Sequence, residues 1–148
     1  MKPMRTLGIV AWLLLLVAPS VFSQGAGREW EILREEVIGL YRAGKYERVV
    51  EVAKKALEVA EKNVGLRHPD VAISLNYLAL LYKAQGQYAQ AEPLCKRSLA
   101  ILEETLGPNH PAVAESLNNL AELYRATNRE EEAAKLEERA ATIRPSGR

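Results

Sequence analysis

Cysteine occurs once in this sequence of 148 residues, at Cys95, so no disulfide closes within the chain. An excess of charge is missing too: 20 Lys and Arg stand against 19 Asp and Glu, a formal net of +1. That balance gives no electrostatic footing for nucleic acid, whose readers present a clustered basic face. Aromatic residues are only 6% of the chain, and most are tyrosines at recurring positions. There is no glycine-rich phosphate loop, no nucleophile set beside a base, and no cluster with metal-ligand spacing. The expectation is therefore no enzyme, no catalytic residue, no metal, no cofactor and no small-molecule substrate.

A long apolar run is also lacking. The longest, Leu7 to Ala18, has 12 residues, whereas a helix needs roughly 20 to span a bilayer. Lys2 and Arg5 precede it, Pro19 breaks it, and Val21-Phe22-Ser23 offers small or modest side chains before Gln24. This is the layout of a secretory signal peptide, so 1–23 is expected to be cleaved near Ser23. Export to a periplasm or the outside follows, with an uncleaved membrane anchor as the alternative. No cysteine follows the run, which argues against a lipid anchor on cysteine. Residues 1–23 hold no acid, so their removal leaves 18 bases against 19 acids. Residues 24–28, with two glycines, are expected to be a flexible mature N-terminus.

What the remainder has is itself, repeated. His68-Pro69-Asp70-Val71-Ala72-Ile73-Ser74-Leu75-Asn76 returns as His110-Pro111-Ala112-Val113-Ala114-Glu115-Ser116-Leu117-Asn118, an offset of 42. The same offset pairs Leu78 with Leu120, Ala79 with Ala121, Tyr82 with Tyr124, Ala91 with Ala133 and Leu94 with Leu136. Backwards it finds a worn copy through Gly44/Gly86, Tyr46/Tyr88, Leu57/Leu99 and Gly65/Gly107. A fixed period between about 20 and 50 residues indicates a stacked array.

Each unit reads as a helix hairpin. Pro69 suits a first helical position, where its missing N–H is no loss, and Asp70 complements the positive helix end. Val71, Leu75, Leu78, Ala79 and Tyr82 keep helical spacing up to Gly86. Tyr88, Ala91, Leu94, Cys95, Leu99 and Leu102 mark a second helix that Gly107-Pro108 closes. Ala79 and Ala91 permit close approach, and Tyr82 and Tyr88 fill the space beside them. The first unit keeps helical spacing over 29–43 and 45–63, although Glu36 stands where the other units have leucine. In the third, Asn128 and Glu130 replace Gly86 and Tyr88; Asn tolerates the left-handed turn. Pro93 sits inside a helix, where about 3 kcal/mol is the usual cost, so it is expected within the first turn or two, with or without a bend. The last helix, 129–144, opens on Glu130, Glu131 and Glu132, a polar face that suits a terminal cap.

These residues resemble the tetratricopeptide repeat (TPR), in its 42-residue, kinesin-light-chain-like variety. Leu75-Asn76-Tyr77-Leu78-Ala79-Leu80-Leu81-Tyr82, its copy at 117–124, Gly86-Gln87-Tyr88-Ala89-Gln90-Ala91-Glu92 and the Leu-Gly-Pro-Asn-His-Pro linker at 106–111 carry the likeness. The resemblance implies an all-α fold: a short right-handed solenoid of three hairpins, at about 29–67, 68–109 and 110–144, with 145–148 as a tail. It also implies a non-enzymatic module that holds a peptide or protein segment in a groove lined by the first helices.

By matched position, that groove set is Ile73, Asn76, Leu80, Lys83 and Ala84 in the second unit. In the third it is Glu115, Asn118, Glu122, Arg125 and Ala126. The first unit adds Glu31, Arg34, Ile38, Tyr41 and Arg42. Asn76 and Asn118 can each donate and accept toward a peptide amide; the alternative is a bond to a neighbouring helix. Lys83, Arg125 and Arg42 would form a basic row for a partner's carboxylates, against a solvated surface as the plain reading. Glu115 and Glu122 speak against a strongly acidic ligand. The recurrence of His68 and His110 invites a metal reading, but successive repeats stand roughly 8–10 Å apart per packing step. One zinc ion binds nitrogens at about 2.0–2.1 Å, so a linker role is expected. Cys95, among apolar neighbours, reads as a small buried hydrophobe, with a reactive thiol or intermolecular disulfide as the alternative. A second functional reading is structural: self-association or docking through the solenoid ends.

Overall fold

Proline and histidine set where the hairpins begin, and left-handed residues set where they fold back. The computed structural model describes residues 26–143, which form six α-helices and no strand. They are α1 (Ala26–Arg42), α2 (Tyr46–Val64), α3 (Pro69–Ala84), α4 (Tyr88–Leu106), α5 (Pro111–Ala126) and α6 (Glu130–Thr142). The expected leader at 1–23 and tail at 145–148 lie outside the described residues. Of the segment 24–28, residues 26–28 belong to α1. The last helix ends at Thr142, and the buried side chain of Ile143 follows it.

The recurring histidines are helix caps. The Nδ1 of His68 accepts the Asp70 N–H at 3.2 Å, and the Nδ1 of His110 accepts that of Ala112 at 3.1 Å. Both residues have extended backbone and precede a proline at the first helical position. Each imidazole thus satisfies an N–H that the first turn leaves open. Within hairpins the turn recurs at the sequence period. Gly44, Gly86 and Asn128 have φ of 70°, 73° and 59°. The next N–H then reaches back five residues, Lys45 to Leu40, Gln87 to Tyr82 and Arg129 to Tyr124, at 3.0, 2.9 and 2.8 Å. This is the left-handed helix stop that glycine and asparagine permit. α4 runs unbroken through Pro93, which is exposed and lies within the first two turns, where it is expected.

Consecutive helices pack in pairs, and the core runs through all three hairpins. Its part nearer the tight turns joins Tyr41, Val49, Leu78, Tyr82, Ala91, Leu120, Tyr124 and Ala133. Its part nearer the linkers joins Trp30, Ala60, Val71, Leu75, Leu102, Val113, Leu117 and Ala140. Leu57, Leu94, Leu99 and Leu136 pack against both. Ser98, fully buried on α4, donates to the Ala72 carbonyl of α3 at 2.7 Å. Glu36 is explained by position. Leu78 and Leu120 are buried, whereas the α1 equivalent stands on an exposed face with Glu35 and Gly39.

Polar contacts between hairpins repeat with the same period. Lys54 of α2 sits 5.7 Å from the Tyr82 ring of α3, and Lys96 of α4 sits 5.9 Å from the Tyr124 ring of α5. Arg97 pairs with Glu61 at 2.6 Å, and Arg139 with Glu103 at 2.5 Å, tying each second helix to the next. A further clamp is specific to the last junction. Arg129 grips Glu92 through two nitrogens at 3.2 and 2.6 Å and lies 3.9 Å from the Tyr124 ring, while Lys96 holds Glu92 from α4 at 2.6 Å.

Two outcomes follow. Leu117→Ala, at a fully buried position, is expected to cost about 2–5 kcal/mol in urea unfolding. The hydrogen bonds from Arg129, then those from Lys96, hold the Glu92 carboxyl down to about 2 from an ordinary 4.5. A lowered folded-state value stabilises fully above the unfolded value and is lost as pH falls through the folded one. Glu92→Gln should therefore lower the urea midpoint at pH 7 and match the parent near pH 2.

Candidate functional site

Where α3 and α5 stand side by side, a cleft of about 310 Å³ opens between them. Ile73, Asn76, Tyr77 and Leu80 line it from α3, and Ala112, Glu115 and Asn119 line it from α5. Leu102 and Leu106 contribute from the end of α4, and Pro69 and His110 from the helix starts. At helical spacing these positions give one stripe on each first helix, so the repeat itself builds two facing walls. The junction between α1 and α3 is different. Trp30, Arg34, Val37 and Tyr77 surround only about 30 Å³ there, roughly the share of one water molecule.

Ile73, Asn76, Leu80 and Glu115 of the expected groove set thus meet in one cleft. Asn118 does not join them; it is exposed, and Asn119 faces α3 instead. The reason is the order in which the hairpins stack. Asn76 sits on the side of α3 that looks toward α5, and the equivalent side of α5 has no following hairpin among the described residues. Lys83 and Glu122 pair with each other, bridging α3 to α5 one turn beyond Leu80 and Asn119. Arg125 pairs through two nitrogens with Glu137 of α6 and at 3.4 Å with Glu130. Of the expected basic row, Lys83 and Arg125 are thus each paired with a glutamate of the same chain at the exposed surface. Arg42 is exposed at the end of α1, away from the cleft.

In the first unit, Tyr41 is core. It is buried, and its ring meets Tyr46 edge-on at 5.4 Å, so it lines no groove. Arg34 lies 5.7 Å from the Trp30 ring at the filled junction. Ile38 is half-buried, Ala84 and Ala126 are exposed, and the Glu31 side chain lies outside the described residues.

The electrostatics of the cleft centre on one acid. Glu115 is exposed as a residue, and partial burial of its carboxyl against the cleft walls pushes it above its ordinary value. Burial first, then the nearby Glu115, pushes the Tyr77 phenol up to about 12. The Oδ1 of Asn76 is buried and finds no donor within the described protein. Cys95 is buried in the part of the core nearer the tight turns, and burial lifts its thiol to about 11. A thiol so protonated is a poor nucleophile at neutral pH. Among the described residues, no three His, Cys, Asp or Glu side chains gather as a metal site.

Tyr77 and Asn119 were missed as lining residues. A signal was present: they occupy equivalent positions yet differ, whereas core positions such as Leu75 and Leu117 repeat unchanged.

The family profile of the tetratricopeptide repeat matches residues 37–94 and 70–146, and the chain belongs to that family. Solved structures similar to it include BtubC (BKLC) from P. vanneervenii, at TM-score 0.74 and 23% identity over 96% of this chain and 56% of that one. The nearly identical TPR-like repeats of a putative kinesin light chain from Podosopora anserina align at 0.70 and 27%, over 82% of this chain and 57% of that one. The TPR domain of Arabidopsis FLU aligns at 0.66 and 20%, over 78% and 94%. The chain spans a little over half the length of the first two. Comparison with curated proteins gave no match in sequence.

The raised Glu115 value has a testable sign. Its ionisation opposes folding once the pH exceeds the unfolded carboxylate value, and costs nothing below it. Glu115→Gln should therefore raise the melting temperature at pH 7 and leave it unchanged near pH 3, as followed by circular dichroism.

Proposed function

We propose that this protein is an exported, non-enzymatic interaction module that holds a peptide or protein segment in the groove between α3 and α5. The observation that carries the reading is the half-open cleft between the two well-formed repeats, walled by Ile73, Leu80 and Leu106 and set with the amides of Asn76 and Asn119. Apolar walls with a few convergent polar groups are what ligand clefts require. The family is generally one of scaffolds, which accords with the inert surroundings of Cys95. Export rests on the leader at 1–23, with cleavage near Ser23, and among the described residues no helix is long and apolar enough to cross a membrane.

The ends offer less to a partner. The outer side of α1 shows Glu35 and Glu36, with Ile32 as its one large exposed apolar residue, and α6 shows Glu131, Lys135 and Glu138. Polar faces of this kind cap an open array.

A photo-crosslinking amino acid at Ile73 should capture a polypeptide in the exported fraction of the source cells, and the same group at exposed Lys55 of α2 should not. Leu80→Asp, which places a charge on the cleft wall, should abolish the capture while the helical melting curve persists. Equal capture from both faces would end the groove reading, and a concentration-dependent dimer in light scattering would favour association through the ends.

A further inference from the structure

The groove takes its charge from a single side chain, and that decides what it selects. The cations expected on this face each pair with a glutamate of the same chain at its surface: Lys83 with Glu122, Arg125 with Glu137. The cleft lining contains neither Lys nor Arg. His110, at its rim, uses Nδ1 to accept the Ala112 amide. Glu115 is left as the acid among Ile73, Leu80, Leu102, Leu106 and Ala112. Glu115 remains open to solvent at the cleft, no ammonium or guanidinium stands among the lining residues, and the surrounding walls push its carboxyl above the ordinary value. The Asn76 Oδ1 nearby is a buried acceptor short of a donor.

Resting on the groove reading above, we propose that the cleft selects an extended polypeptide segment in which an apolar side chain neighbours a Lys or Arg. The apolar side chain seats on Leu80 and Leu106, the basic one pairs with Glu115, and a backbone N–H of the segment donates to Asn76. The apolar contact supplies most of the attraction, since burial scales with area. The pair supplies selectivity, because like charges set together are penalised more than matched charges are rewarded. An acidic segment would place its carboxylate beside Glu115 with every nearby cation already engaged.

The test uses the full chain and its Glu115→Gln and Glu115→Lys variants on an array of ten-residue peptides. Each peptide carries a central Leu or Phe flanked by Lys or Arg, by Ser or Gln, or by Asp or Glu. The parent is expected to retain the basic set about tenfold better than the acidic set, an energy on the scale of one partly buried pair. Glu115→Gln should bring the sets to near parity while keeping the dependence on Leu or Phe, and Glu115→Lys should invert the order. Parent retention that depends on the apolar residue but is equal for basic and acidic sets, or higher for the acidic set, overturns the charge assignment and leaves the groove standing. If no peptide is retained, or if Leu80→Asp retains them all unchanged, the groove reading falls and this inference falls with it. Circular dichroism melting of each variant separates loss of binding from loss of fold.

Discussion

A helix hairpin of this sequence cannot hide its apolar flank by itself. Leu78 and Tyr82 are buried in one cluster with Val49 and Ala53 of the preceding hairpin, and Leu120 and Tyr124 share it with Ala91 and Cys95. Burying a side chain of this size is worth about 1.5–3 kcal/mol, whereas an exposed ion pair is worth about 0–1. The repeated pairs Glu61–Arg97 and Glu103–Arg139 therefore do not hold the stack together so much as fix its register. The lysine–tyrosine contacts at Lys54–Tyr82 and Lys96–Tyr124 do the same from the tight-turn side.

The same constraint accounts for the first and the last of the described helices. A position that is leucine inside the array becomes Glu36 at its start, where α1 shows that face to solvent. The last helix keeps Ala133 and Ala140 for the core and turns glutamates outward. Its entry is secured by Arg129, which reaches back to Glu92 and across Tyr124. The cleft is a consequence as well. Parallel first helices that share a register leave two facing stripes, and only the junction between α3 and α5 leaves them unfilled; Trp30 and Arg34 close the other.

Electrostatics then distinguishes the two walls. Ile73 and Glu115 occupy equivalent positions and both line the cleft, so an apolar residue on α3 is matched by an acid on α5. The next turns place Lys83 opposite Glu122, and these neutralise each other. The cleft is thus apolar with one carboxylate among its lining residues, and Tyr77, on the junction side of α3, has its phenol raised first by burial and then by that carboxylate.

The helices, their hairpin pairing, their starts at proline and their turns at Gly44, Gly86 and Asn128 were legible in the sequence. They follow from local rules: apolar spacing of three and four, caps, and tolerance of positive φ. Repetition extended them into an array, because equivalent side chains must meet equivalent surroundings. The burial of Tyr41 and the pairing of Lys83 and Arg125 were not legible. Nor were the exposure of Asn118 and the entry of Tyr77 and Asn119 into the cleft. Each depends on which atoms a neighbouring helix brings within a few ångströms. Among the described residues α3 has a hairpin on either side and α5 on one side only, so identical residues at 76 and 118 meet different surroundings, and only the assembled stack decides which one faces a groove.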